Sequence, residues 1–277
     1  MIRATFWKEW REHRLKYGAY WLALNLPILT TAICVALNKG ARTPFADLSD
    51  VTAIKYLGLA MVAECYAIAT VFMLVTGFLA AATFSPEQED RSVFFLFEQP
   101  VERWKYPASK MLHGLLQIGG AIVFAALFAP LLGWLLMLAG GRVSIAGSVG
   151  TMQTLLLAGL RGALCCWLVS AMVFAACALI TAIWPRWWVA TAGTVVVVIA
   201  FLATAWDYFD LLSPSFEKLE NASVGLGIGS PQWLTITQTL PLSGFPAWKP
   251  QPMEMALAAI AALAGATGWV ISRRELN

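Results

Sequence analysis

The sequence predicts an all-α integral membrane protein of six transmembrane helices, with an N-terminal interfacial amphipathic helix and a short cytoplasmic helix between spans 2 and 3. Three observations predict it. The chain is 59% hydrophobic and 13% charged, with 13 Trp and 15 Phe in 277 residues, far from the composition of a soluble domain. Six apolar runs are long enough to cross about 30 Å of hydrocarbon. The runs are continuously apolar rather than alternating, which excludes a β-barrel.

The predicted spans are 17–37, 56–84, 111–139, 162–183, 189–206 and 253–271. The second and third exceed the roughly 20 residues a crossing needs, so they tilt or extend beyond the lipid. The stretch 150–183 is longer still, and its first third, with Gln153 and Arg161, is expected along or above the outer surface. Basic residues set the orientation. Arg14, Lys16, Lys110, Arg186, Arg273 and Arg274 all sit at inner boundaries if both termini are cytoplasmic. The net charge of +3 carries no nucleic-acid signal, because basic residues in such a chain serve orientation and lipid headgroups.

The N-terminal region is long and of mixed charge, without the pattern of a cleaved signal peptide. At 100° per residue Ile2, Phe6, Trp10 and Tyr17 share a stripe with Trp7 at its edge, opposite Lys8, Glu9, Arg11, Glu12 and Lys16. Such a pattern predicts a surface helix anchored by Phe6, Trp7 and Trp10. The plainer alternative is that it prolongs the first span.

Residues 85–110 form a polar stretch between two apolar runs. Ser85 suits an N-cap, Pro86 the first helical position and Gln88 a capping box, while Glu87, Glu89 and Asp90 complement the helix dipole. The polarity then flips to Val93-Phe94-Phe95-Leu96-Phe97, and Pro100 ends the helix. A short helix with so apolar a face needs something to press against, so it reads as a docking element.

Two ionisable groups lie in apolar surroundings. Glu64 stands about 12 Å in from the outer end of the second span, and Arg161 near the outer end of the fourth. Charges at such depth call for a partner or an aqueous cavity. Glu64 and Arg161 are therefore a candidate pair; a protonated Glu64 and a snorkelling Arg161 are the alternatives. The segment 207–252, with Trp233 and Trp248, is read as an external loop that caps the bundle or touches lipid, or as a simple linker.

Enzyme chemistry has little to stand on. Cys34, Cys65, Cys165, Cys166 and Cys177 all lie in apolar runs without CxxC spacing, and His13 and His113 are the two histidines, so no metal site is expected. The sequence has no P-loop, HExxH or GxSxG motif. The glycine-rich Gly225-Leu226-Gly227-Ile228-Gly229 has no preceding strand, and Asn221-Ala222-Ser223 is a sequon that chance supplies often.

Three places together resemble the permease subunits of type-2 ABC exporters, in the branch linked to copper-enzyme maturation. The opening Phe6-Trp7-Lys8-Glu9-Trp10-Arg11-Glu12 is similar to their basic aromatic start. Glu87-Gln88-Glu89-Asp90-Arg91-Ser92 through Leu96-Phe97-Glu98-Gln99-Pro100-Val101-Glu102-Arg103, then Lys110, resembles their acidic, leucine-rich, Pro-Val-x-Arg and Gly-Lys pattern. The end, Ser272-Arg273-Arg274-Glu275-Leu276, resembles their Arg-Arg-Asp finish. The chain departs from that pattern at Arg91-Ser92, Ser109 and Glu275, and the resemblance carries no cargo.

The resemblance implies a bacterial inner-membrane permease that is not itself an enzyme and binds no cofactor directly, ATP and Mg residing on a separate cytosolic ABC ATPase dimer. A second permease subunit, identical or related, and membrane lipids complete the expected partners. Helix 86–97 would be the coupling helix. Phe94, Phe95 and Phe97 would fill an ATPase groove, with Glu87, Glu89 and Arg103 as rim charges. A non-transporting scaffold or sensor, and a membrane-embedded lipid-modifying enzyme, are the competing classes.

Overall fold

In a computed structural model the described residues are 2–37, 68, 71–89, 104–140, 144–184, 186–209 and 250–273. They form six helices: α1 (Ile2–Leu37), α2 (Val71–Glu89), α3 (Lys105–Ala139), α4 (Ile145–Ile183), α5 (Trp187–Phe209) and α6 (Pro250–Arg273). No strand occurs among the described residues. Among the described residues, three stretches are long and apolar enough to cross a membrane: Lys105–Ala139, Ser148–Ile183 and Glu254–Arg273. Phe72–Phe84 and Trp188–Phe201 are shorter apolar stretches.

α4 is the central helix, with α2, α3, α5 and α6 packed around it, and α1 lies along α3. Small side chains let the neighbours come close: Ala163, Ala171, Ala175, Cys177, Ala178 and Ala182 of α4 are all buried. Gly114 of α3 meets the ring of Phe174 where any Cβ would collide with it. Direction follows from the contacts. Tyr17 meets Thr83 and Tyr20 meets Thr76, so α1 and α2 are antiparallel. Trp10 lies against His113 and Trp21 against Phe124, so α1 and α3 run the same way.

The distribution of polarity is that of a bundle in lipid. Leu22, Leu26, Leu116, Phe128, Leu135, Val196, Ile199 and Leu257 are exposed, whereas Thr76, Thr83, Ser170, Thr181, Thr194 and Thr267 are buried. A soluble fold does the reverse. Most of the buried hydroxyls have a simple solution. Thr83, Thr181, Thr194 and Thr267 each donate to the carbonyl one turn back, at 2.7, 2.8, 2.9 and 2.8 Å.

Several sequence expectations change. α1 is one helix of 36 residues, about 54 Å long, so no separate surface helix is marked off at residue 16. Its first half has a wall to pack on, since α3 begins at Lys105 rather than near 111. Pro107 is tolerated there because first-turn N–H groups have no partner within the helix. α4 runs unbroken from Ile145 to Ile183, so the stretch expected along the outer surface is part of the same helix. α2 continues through Ser85 and Pro86 to Glu89, so Ser85 does not cap a new helix. The residues 90–103, including Phe94, Phe95, Phe97 and Arg103, lie outside the described residues, as do Glu64 and 210–249.

Candidate functional site

The continuation of α2 through Pro86 needs a physical account. Proline has no N–H, so the carbonyl of Ala82 loses its donor four residues on. Lys16 of α1 supplies one, its Nζ donating to Ala82 O at 2.9 Å. One residue later, Lys110 of α3 donates to Thr83 O at 2.9 Å. Two ammonium groups from two helices thus hold adjacent carbonyls near the C-terminal, negative end of α2. The neighbours make good what the proline took away.

Lys110 is fully buried, at 0% exposure. An ammonium withdrawn from water is costly unless its charge is answered. Here the answer is the Thr83 carbonyl and two ring faces, Tyr106 at 5.1 Å and Phe84 at 5.9 Å from Nζ. Phe84 is itself backed by Phe174 of α4, at 6.4 Å between centroids. Tyr17 joins α1 to the same place, its hydroxyl 3.4 Å from Thr83 Oγ1 and its ring edge-on to His113 at 5.2 Å. Lys16, Tyr17, Thr83, Lys110 and His113 therefore form one junction between α1, α2 and α3, at the root of the segment that follows Glu89.

The same end of the bundle carries a belt of exposed tryptophans: Trp7, Trp10, Trp104, Trp184, Trp188 and Trp269. Cations sit among them. Lys105 lies over Trp104 at 6.0 Å, Arg273 over Trp269 at 4.6 Å, and Arg186 separates Trp184 from Trp188. Amphipathic indoles beside basic groups belong at the boundary between hydrocarbon and headgroups. Gly268 of α6 faces Pro107 of α3, so the beginning of α1 and the end of α6 share this end.

Of the sequence-predicted site residues, Trp7 and Trp10 are exposed here and Trp10 also lies edge-on to His113 at 6.4 Å. Phe6 is in the first turns of α1, Glu87 and Glu89 are in the last turn of α2, and Arg161 is in α4. The proposed pairing of Glu64 with Arg161 falls outside the described residues, because Glu64 is not among them. Sequence reasoning missed the junction. In the sequence Lys110 reads as an orientation signal and His113 only as one of two histidines that make no metal site. The available signal was their i, i+3 spacing with Tyr106 on one face of a helix starting at 105.

No group of His, Cys, Asp or Glu among the described residues is placed to hold a metal ion. The contacts of the junction fix the end of one helix to two others. Compared with protein-family models and with curated proteins, the chain matches none.

Proposed function

We propose that the chain is the membrane-spanning permease subunit of an ATP-driven ABC exporter, working with a separate cytosolic ATPase dimer and a second permease subunit. The observation that carries this reading is the grip on the end of α2. The segment between α2 and α3 leaves a helix end held by Lys16 from one side and Lys110 from the other. A force applied to that segment is delivered at once to α1, α2 and α3 rather than lost in a loose loop. That is the requirement for a rigid-body change of access driven from outside the membrane.

In this reading six spans cross the bacterial inner membrane with both termini in the cytoplasm, and the tryptophan belt marks the cytoplasmic face. Phe94, Phe95 and Phe97 provide the ATPase-binding surface, since buried aromatics dominate such contacts. Glu87, Glu89 and Arg103 set its register. ATP and Mg are held by the partner, and the chain performs no chemistry. Substitution Phe95→Asp should abolish co-purification of the partner ATPase while membrane insertion is unchanged. Undiminished co-purification rejects this docking face.

A further inference from the structure

Inward-turned indoles in this bundle find acceptors. Trp134 Nε1 donates to Ser148 Oγ at 3.1 Å, and Trp167 Nε1 donates to the Leu115 carbonyl at 3.1 Å. Trp21 is the exception. Its Nε1 is buried without a hydrogen-bond partner among the described residues. The ring is pinned on α3: a Cβ at Gly120 would lie 3.0 Å from Cζ2, and Phe124 packs at 5.5 Å. The indole therefore has little freedom to seek a partner elsewhere.

One turn further along α1, Asn25 is only 5% exposed and its Oδ1 is equally without a partner among the described residues. The amide cannot simply be turned over. Asn25 Nδ2 donates to the Trp21 carbonyl at 2.9 Å, and a flip would set oxygen against oxygen. So a buried donor and a buried acceptor stand on neighbouring turns of one helix, their Cβ atoms about 5–6 Å apart. Leaving both bare in a bundle interior is unfavourable, and such atoms are normally met by an ordered molecule.

Polar groups lead to this place. From the Lys110 junction the series runs through Tyr17 with Thr83, then Tyr20 with Thr76 at 3.5 Å, then Trp21 and Asn25. From Tyr17 to Asn25 is about 12 Å along the helix. Elsewhere the faces of α1 at this depth are apolar, as Leu22, Leu24 and Leu26 show.

We propose that Trp21 Nε1–H and Asn25 Oδ1 form an intramembrane binding site for a small neutral hydroxyl. The chemistry selects the ligand. An indole N–H requires an acceptor, which a cationic amine is not. An amide oxygen requires a donor, which an anion is not. A hydroxyl does both without charge, and its source is either water or the alcohol group of a larger lipid-soluble molecule. The site stands independently of the exporter reading.

The test is a stability change in the full chain, purified in lipid nanodiscs. If one hydroxyl bridges both groups, Asn25→Leu lowers Tm by about 2–4 °C more in the unaltered chain than in Trp21→Phe, the Nδ2 bond to the Trp21 carbonyl being lost in both backgrounds. If the site is empty, Asn25→Leu has the same effect in both backgrounds; that result overturns the proposal. Should Asn25→Leu fail to insert, Asn25→Cys and Leu24→Cys are compared for modification by neutral 2-hydroxyethyl methanethiosulfonate in intact membranes. Faster labelling at 25 than at 24 supports the site, and equal rates reject it. Native mass spectrometry of the unaltered chain and Trp21→Phe separates the two sources. A co-purifying molecule lost from the variant is a larger alcohol; its absence from both, with the background-dependent fall in Tm present, identifies water.

Discussion

The two ends of the bundle solve the same boundary problem in different ways. At the Lys110 end, six tryptophans are exposed and described cations stand among them: Arg11, Arg14, Lys16, Lys105, Arg186 and Arg273. At the opposite end, Trp134 turns inward to bond Ser148, and Glu254 is the described charged side chain. Among the described residues, one end carries the indoles and cations that suit headgroups, and the other turns its indole into the packing. The difference teaches that the described parts of the two ends are set apart by their side chains. It also places the buried Lys110 junction beneath the belt that would hold it at a fixed depth.

The comparison can be broken most decisively by sidedness. Arg186→Cys and Ser144→Cys, one at each end, should be labelled by a membrane-impermeant thiol reagent from opposite sides of sealed vesicles. Labelling of both from one side would dissolve the distinction between the ends. Next in size is the contrast between interior and lipid face. Gly114→Ala drives a methyl into the Phe174 ring and should cost about 1–3 kcal/mol, seen as a lower Tm. Gly265→Ala, where a Cβ meets open space, should change Tm little. Equal effects would mean that the packing of α3 on α4 is misassigned.

The smallest effects test the two lysines against each other. Lys110→Met removes a charge-assisted hydrogen bond inside the bundle, which should cost about 2 kcal/mol. Lys16→Met acts at an exposed ammonium and should cost under about 1 kcal/mol. Hydrogen exchange at the end of α2 should rise in both variants, more in the first. A larger effect at Lys16 would shift the weight of the junction from α3 to α1.

Much of the fold could be read directly. Long apolar runs give helices in lipid because no other structure satisfies the backbone there, so α3, most of α4 and α6 were expected close to where they lie. The cations of the belt were legible too, since Arg14, Lys16, Arg186 and Arg273 sit at run boundaries, as were its Trp7 and Trp10. The boundaries themselves were not. Ser85-Pro86 has the local signature of a helix start, and a local rule cannot know that Lys16 is waiting beside Ala82. Likewise the polar stripe on the N-terminal residues predicts a surface helix, until α3 is seen to begin early enough for Trp10 to reach His113.

The sequence by itself determined the solvent this chain requires, its helicity and which run boundaries gather cations. These follow from hydropathy and composition, which act residue by residue. Only the tertiary structure decided that Lys110 lies against Phe84 and Tyr106, that α2 survives its proline, and that Trp21 Nε1 and Asn25 Oδ1 are buried without a protein partner among the described residues. Burial and satisfaction are properties of pairs far apart in the chain. No periodicity along one helix records which neighbour will stand against it.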